Sequence, residues 1–167
     1  MPLIKTQSGF TLLEVMVAIV VLSLGLLGLA GLQAASLRNN QTAYYRGIAT
    51  QQAYDIADRI RANLAGAGPL HGYSYNNLTV GIPVGNPDCF AAACTPENMA
   101  ISDHRQWNAA NAALLPNGNG TVVCVDGPAA AGCTAATGTW VFNITVMWTE
   151  KIVGGVATRS FVTSITP

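Results

Sequence analysis

The chain has 167 residues, a length that fits one compact domain with an additional segment. Charged residues make up 10% of the chain, well below the usual quarter, and 8 Lys and Arg balance 8 Asp and Glu. This composition excludes a basic nucleic-acid surface, so we expect no nucleic acid among the partners. The hydrophobic residues are unevenly distributed and form a dense block between Phe10 and Leu32.

The first predicted element is an apolar helix. The stretch from Val15 to Leu37 contains no charged residue and no proline, and about 20 apolar residues cross a bilayer core as a helix. A secretory signal cleaved at Gly28-Leu29-Ala30 is an alternative interpretation, but such signals have an uncharged apolar region of about 7–15 residues. Here the apolar run is longer, and Glu14 lies inside the hydrophobic block that begins at Phe10, so we predict a retained membrane helix.

Glu14 is the most informative residue of this segment. An acidic group at the centre of a membrane helix costs about 2.5–3.5 kcal/mol, whereas one near the boundary can reach the headgroups. Its surroundings, Gly9-Phe10-Thr11-Leu12-Leu13-Glu14-Val15 after a polar leader with Lys5, resemble the type IV prepilin signature. That signature has a glycine at the cleavage point, an aromatic residue as the new N-terminus and a glutamate four residues later.

The resemblance implies a processing and assembly site at Gly9, Phe10 and Glu14. A prepilin peptidase would cut between Gly9 and Phe10 on the cytoplasmic side and methylate the freed amine of Phe10. In the assembled fibre, Glu14 would be neutralised by the Phe10 amine of an adjacent subunit, because a buried carboxylate needs an opposite charge. The chain is then divided into a leader (1–9), a transmembrane and fibre-core helix (10–37) and an amphipathic helix with a globular head (38–167).

The helix is predicted to continue into the head as an amphipathic segment. Its apolar positions keep the spacing of one helical stripe: Ala49, Ala53, Ile56, Ala57, Ile60 and Leu64. Asp55 and Arg59 lie off this stripe with the spacing of a solvated i, i+4 ion pair. The helix is expected to end at Gly66, Gly68 and Pro69.

A loop-rich connector is predicted from Leu70 to Thr95, followed by a second helix. Thr95-Pro96-Glu97 combines a capping oxygen, a proline at the first helical position and an acid near the positive helix end. The helix runs toward Leu115, and Trp107, Ala110 and Leu114 share one face, with Trp107 as a core anchor.

The remaining segments are predicted to form strands. Thr121 to Val125 is short and rich in β-formers, and Trp140 to Trp148 alternates large apolar residues with polar ones. Gly154-Gly155 suits a tight hairpin turn before a last strand from Val156 to Ile165. The predicted fold class is α+β, with a long N-terminal helix packed on a C-terminal antiparallel sheet and one extra helix, which resembles the pilin fold.

The four cysteines Cys89, Cys94, Cys124 and Cys133 lie in a region that would be exported, which favours disulfides. They allow three pairings, of which we favour Cys89–Cys94 and Cys124–Cys133. Zinc is disfavoured because no histidine accompanies the cysteine spacings.

The only histidines, His71 and His104, are interpreted as surface residues. No nucleophile with a base accompanies them. We therefore predict no enzyme activity, no metal and no cofactor.

The downstream half also resembles the PilV-like minor pilins of type IV pili. The residues that carry this resemblance are Asp103 and Trp107, Leu115-Pro116-Asn117-Gly118 and Ile144-Thr145-Val146-Met147-Trp148. In addition, Cys133 precedes the final hairpin, whereas major pilins usually close their last loop with a disulfide near the C-terminus.

This resemblance implies a minor pilin that acts in pilus assembly or initiation, with prepilin peptidase, other minor pilins and the major pilin as partners. Before assembly it would cross the inner membrane once, with the N-terminus inside and the head in the periplasm. Afterwards it would lie in the pilus at the cell surface. Two alternatives stay open: a type II secretion pseudopilin, and a pilus-tip subunit for adhesion or DNA uptake.

Overall fold

A computed structural model describes residues 9–68, 74–76, 78, 87–89, 91–125, 133, 140–152 and 154–167. Its helices and strands are α1 (Leu12–Ala62), α2 (Leu64–Ala67), α3 (Pro96–Leu114), β1 (Asn119–Val125), β2 (Val141–Ile152) and β3 (Gly155–Ile165). The strands form an antiparallel sheet in the order β1-β2-β3. This arrangement confirms the predicted α+β class. The chain divides into two compact units, Met1–Thr42 and Ala43–Pro167.

In the first unit, the apolar part of α1 has no buried residue. Every residue from Gly9 to Gln41 is exposed, including large side chains such as Leu13 and Leu27. This part of α1 has a mean hydropathy of 2.6 over its most apolar window, so the helix is long and apolar enough to cross a membrane. Removing apolar surface from water is worth about 25 cal/mol per Å², so this segment gains stability from an apolar environment that the chain itself does not supply.

In the second unit, α1 contributes one buried stripe to the core of the head. Five of the six predicted stripe positions are buried, whereas Leu64 is 55% exposed, so the prediction is wrong at Leu64. The reason is a break at Asn63, whose φ of −114° and ψ of 56° end the helical rotation before Leu64. The chain continues as the short helix α2, which ends at its C-cap, Gly68. The N–H of Gly68 donates to the carbonyl of Leu64 at 3.1 Å. Pro69 lies outside the described residues.

The helix α3 begins as predicted, but its buried face differs from the prediction. Thr95 is the N-cap, and its hydroxyl accepts from the N–H of Asn98 at 3.3 Å. Trp107 is fully buried, which confirms it as a core residue. The predictions for two other residues are wrong, because Leu114 is 47% exposed and His104 is only 4% exposed. The buried face of α3 is largely polar. Hydrogen bonds to neighbouring elements compensate for the burial of Asp103 and Asn108, whereas Oδ1 of the buried Asn111 has no hydrogen-bond partner among the described residues.

The sheet buries the face of β2 that the alternation predicted. Phe142, Ile144, Val146 and Trp148 are buried, and Trp140 is half-buried against the core. A two-residue turn joins β2 to β3, and the φ of 90° at Gly154 explains the glycine there.

Two features of β1 depart from the prediction. The strand starts at Asn119, two residues earlier than predicted. Leu78, from the predicted loop-rich connector, forms an antiparallel bridge with Val122 through two 3.0 Å hydrogen bonds. The outer edge of β1 is thus in part occupied by the chain itself.

Candidate functional site

The N-terminal site lies at the beginning of α1. Gly9, Phe10 and Thr11 precede the helix, and Thr11 caps it by accepting from the N–H of Glu14 through both its hydroxyl, at 3.3 Å, and its carbonyl, at 3.1 Å. Glu14 is therefore in the first helical turn, where the positive end of the helix favours a carboxylate. Phe10 is 83% exposed.

Phe10 and Glu14 line the same shallow surface groove, which has a volume of about 430 Å³. The groove is lined by Phe10, Glu14, Val15, Ala18, Ile19 and Leu22. Glu14 is its only ionisable side chain, and within the described residues no cationic side chain forms a salt bridge with it. A carboxylate on an apolar surface without a counter-ion is costly once water is removed, so this groove is suited to a cation from outside the helix.

Among the described residues, no packing contact requires a glycine at position 9. A Cβ atom built there meets no atom within 4 Å. Gly9 also lies before the first residue of α1, so it does not interrupt a helix.

A second polar cluster joins α1 to α3 inside the head. Arg59 forms the predicted pair with Asp55 at 2.9 Å, but it also reaches Asp103 and Gln106 on α3, each at 3.2 Å. Burial on its own lowers the pKa of Arg59, but the charges and hydrogen bonds of Asp55 and Asp103 raise that pKa above its ordinary value. The pair predicted to be solvated thus also connects two helices.

Tyr75 and Asn63 extend this cluster toward the connector. The hydroxyl of the fully buried Tyr75 donates to Asp103, while the side-chain amide of Asn63 donates to that hydroxyl at 3.2 Å and to the carbonyl of Pro96 at 2.8 Å. Burial, together with the bond to Asp103, raises the pKa of Tyr75. Arg59 lies between the carboxylates of Asp55 and Asp103 beside a cavity of about 240 Å³, so the cluster is suited to hold the elements together.

A third polar cluster joins α3 to β1. The side chain of Asn108 accepts from the N–H of Gly120 at 2.8 Å and donates to its carbonyl at 3.3 Å, as a neighbouring strand would. Trp107 packs its ring on Gly120 and donates its indole N–H to the carbonyl of Gln52 on α1 at 2.8 Å. His104 is buried in this layer, with Nε2 2.7 Å from the amide nitrogen of Asn108. These bonds explain both the early start of β1 and the burial of His104.

No pattern in the sequence predicted the hydrogen bonds that Tyr75, Asn63 and Asn108 form within the head. Apart from the local bonds of Asn63 to Gly66 and of Asn108 to His104 and Asn111, their hydrogen-bond partners lie 12 to 33 positions away along the chain. No local pattern distinguishes such residues from exposed tyrosines and asparagines. The only sequence signal was the spacing of four residues between His104 and Asn108, which places them on the same face of α3. This spacing indicates a contact only once that face is known to be buried.

The cysteines form the disulfides Cys89–Cys94 and Cys124–Cys133, with Cα–Cα distances of 5.3 and 5.4 Å. These are the pairs that the sequence interpretation favoured. Cys94 directly precedes the N-cap of α3, and Cys124 is buried in the core near the end of β1. Within the described ranges there is no group of three or more His, Cys, Asp or Glu side chains able to hold a metal ion. His71 lies outside those ranges.

Comparison with known proteins gives one match. Residues 4–30 match the family model of the prokaryotic N-terminal methylation motif, and this segment contains Gly9, Phe10 and Glu14. Neither a search of curated proteins nor one of solved structures finds a match to the chain.

The matched motif implies processing by prepilin peptidase and assembly with other pilins, and it points to a structural subunit and not to an enzyme. Together with the apolar part of α1, it fits a membrane-anchored pilin. The fold, with a long N-terminal helix, a further helix and a three-stranded antiparallel sheet, is consistent with the α+β pilin fold. The prepilin-type motif at residues 4–30 thus supports a type IV pilin-like protein.

Proposed function

We propose that the protein is a minor pilin of a type IV pilus that takes part in pilus assembly or initiation. The observation that carries this proposal is the continuity of the methylation motif with an apolar helix that has no buried residue from Gly9 to Gln41. Such a surface needs apolar surroundings. The inner membrane supplies them before assembly, and the helices of neighbouring subunits supply them in the fibre.

The proposed pathway begins with removal of the leader, residues 1–9. Prepilin peptidase cuts between Gly9 and Phe10 and methylates the new amine of Phe10. The absence of any packing requirement for Gly9 supports a role in recognition by the peptidase. Helix residues 10–37 then hold the subunit in the inner membrane, with the N-terminus inside and the head, residues 38–167, in the periplasm. After assembly the subunit lies in the pilus at the cell surface.

Glu14 and Phe10 are the proposed assembly contact. The groove around Glu14 is apolar apart from its carboxylate, and the described chain provides no salt bridge to it. The methylated amine of Phe10 from a neighbouring subunit is a cation that would fit this position. Neutralisation lowers the cost of burying Glu14 in a fibre core, so correct axial docking is favoured over docking that leaves the charge unpaired.

The assignment as a minor pilin, with other minor pilins and the major pilin as partners, is supported by the head. The residues that resemble PilV-like minor pilins have defined packing roles here. Asp103 forms hydrogen bonds with Arg59 and Tyr75, and Trp107 packs on Gly120. The carbonyl of Pro116 accepts from the N–H of Thr149 at 2.8 Å. A type II secretion pseudopilin would share the N-terminal motif and the apolar helix. Subunits that co-purify with the protein distinguish the two, because they are pilus or secretion components.

The test of processing is the mass of the N-terminus of the full chain, expressed with its assembly machinery and isolated from membranes. We expect a chain that begins at Phe10 and carries one methyl group. A Gly9→Leu variant, which changes only a residue with open space around it, should remain uncut and unmethylated. A chain beginning at Gly31, or an uncut Met1 beside an active peptidase, would contradict the pilin proposal.

Glu14→Gln tests the assembly contact, with Glu14→Asp as the variant that keeps the charge. The glutamine keeps the shape of the side chain but removes the partner of the incoming amine, and breaking a buried ion pair costs about 3–5 kcal/mol. We expect normal processing at Phe10 and a loss of the protein from sheared pili of roughly tenfold or more. Equal recovery of the Gln variant and the unaltered protein in pili would contradict the role given to Glu14.

A further inference from the structure

We propose that the open edge of β3 is an assembly surface, to which a different subunit adds a β-strand that carries an acidic side chain near the hairpin end. This inference rests on the proposed function, because it concerns a partner within the same assembly. It assigns to the head a contact that is separate from the Phe10 and Glu14 contact of the helix.

The two edges of the sheet are not equivalent. At the β1 edge, Leu78 forms a bridge with Val122, so the chain covers part of that edge. At the other edge, β3 runs for 11 residues and, within the part of the chain that the structure describes, pairs only with β2. Among the described residues, the β3 edge is therefore the longer open edge.

The register shows which backbone groups of β3 face outward. Ile152 pairs with Gly155 across the two-residue turn, so the N–H of Gly155 points to β2. In an antiparallel ladder this direction alternates along the strand. The N–H and C=O groups of every second residue therefore point to the open edge, and these residues are Val156, Thr158, Ser160, Val162 and Ser164.

Strand β3 has few of the features that keep exposed edges from pairing. Natural edge strands are usually short, bulged, or protected by proline or charged residues. The pairing of β3 with β2 continues without a bulge, and the strand contains no proline and one charged residue, Arg159. The residues whose backbone groups point to the open edge are uncharged. Two of them, Val156 and Val162, are 64% and 57% exposed. Such an edge is suited to receive another strand by main-chain hydrogen bonding.

The face of the sheet that packs on the core is only partly covered at β3. Phe142, Ile144, Val146 and Trp148 on β2 are buried, whereas Phe161 on β3 is only half-buried. An added strand with an apolar residue beside Phe161 would cover this side chain. Pairing at the edge would therefore bury apolar surface in addition to forming the ladder.

The charges near the edge favour a different subunit over a second copy. The hairpin end carries Lys151 and Arg159, and its one carboxylate, Glu150, already accepts from the Trp148 indole at 2.9 Å and lies 3.4 Å from Arg159. Strand β3 has no acidic residue, so a second β3 would bring only another arginine. A strand with an aspartate or glutamate would complement Lys151, which forms no salt bridge among the described residues, whereas Arg159 is already paired with Glu150. The apolar helices hold the heads of neighbouring subunits close together, which raises the effective concentration of such a strand.

Proline substitutions test the edge in the full chain, expressed with its assembly machinery. Ser160→Pro and Val162→Pro remove N–H groups that face outward, so the β2 ladder keeps its hydrogen bonds. Ser160→Ala and Val162→Thr are the matched controls that keep those N–H groups. We expect all four variants to be processed at Phe10 and to retain both disulfides and a protease-resistant head. Only the proline variants should fall about tenfold in sheared pili, because each removes a main-chain hydrogen bond and obstructs its neighbours.

The identity of the occupant is tested by photo-crosslinking and by charge. A p-benzoylphenylalanine at position 162 should cross-link a different pilin-like subunit, whereas the same probe at position 123, exposed on β1, should not. Lys151→Glu should reduce incorporation several-fold, and Lys151→Arg should leave it unchanged. Normal incorporation of both proline variants, or cross-linking at position 162 only to a second copy, would overturn this inference. Failure of the unaltered chain to be processed at Phe10 would instead contradict the proposed function.

Discussion

Gly120 determines how closely α3 approaches the sheet. A Cβ atom at this position would lie 2.6 Å from Cζ3 of Trp107, whose ring is fully buried. The backbone of Gly120 is also held in place by the side-chain amide of Asn108, with bonds of 2.8 and 3.3 Å. Neither the indole nor the strand has room to move without breaking a hydrogen bond, because Trp107 also donates to Gln52.

Gly120→Ala should therefore destabilise the head. Overpacking of a filled core costs about 1–3 kcal/mol, and we expect a loss in the free energy of unfolding at the upper end of that range. Gly47→Ala is the control, because a Cβ there meets no atom within 4 Å and alanine favours the helix by about 0.5–1 kcal/mol. Urea unfolding of the full chain in detergent, followed by tryptophan fluorescence, measures both. An unchanged midpoint for Gly120→Ala would contradict the contact with Trp107.

Among the elements, α1 and α3 are joined by a polar contact in addition to apolar packing. Arg59 on α1 and Tyr75 in the connector both bond to Asp103 on α3. Removing one partner of a buried polar group leaves the others without compensation, which costs about 1–3 kcal/mol. The cluster therefore couples the connector to both helices.

Tyr75→Phe tests this coupling and its pH dependence. The raised pKa of Tyr75 means that the folded head favours the protonated phenol. Its contribution to stability is fully present below the unfolded pKa of about 10 and is lost as the pH rises above that value. We expect Tyr75→Phe to unfold at lower urea concentration at pH 8 and to lose less stability than the unaltered chain between pH 8 and pH 10.5. Tyr54→Phe, at an exposed position of α1, should change neither quantity.

At the scale of the whole molecule, the disulfides stabilise different parts of the head. Cys124–Cys133 is anchored in the core through Cys124, whereas Cys89–Cys94 lies next to the N-cap of α3, with both sulfurs only partly buried. Both close short loops, so each restricts the unfolded chain to a similar extent. The difference between them is the apolar contact of Cys124.

Cys124→Ala/Cys133→Ala should reduce the free energy of unfolding by about 3 kcal/mol, because loop entropy and core contacts are both lost. Cys89→Ala/Cys94→Ala should reduce it by about 2 kcal/mol, through loop entropy alone. Calorimetry of the full chain in detergent measures the order of the two effects. A larger loss for the Cys89 and Cys94 double variant would contradict the core role of Cys124.

The sequence alone determined the features that depend on local chemistry. The methylation motif, the apolar run of α1, the cap at Thr95 and the alternation of β2 each lie within a short window, and each was predicted. Periodicity also identified the α1 stripe up to Ile60, and it was wrong at Leu64 because the break at Asn63 has no glycine or proline to signal it. Local patterns report what a segment can bury, and for the apolar stripes of α1 and β2 that predicted most of the core positions.

Only the tertiary structure decided which polar residues are buried and which sheet edge is open. The sequence-based prediction was wrong for His104 and made no assignment for Asn108, because their burial depends on the bonds of Asn108 to Gly120 on β1 and on its contact with His104. In the same way, the strand order β1-β2-β3 leaves β3 at an edge, and no property of the β3 sequence alone requires this. The physical reason is the same in both cases: the free energy of a polar group or of a strand edge depends on what lies opposite it, and only the folded chain specifies that.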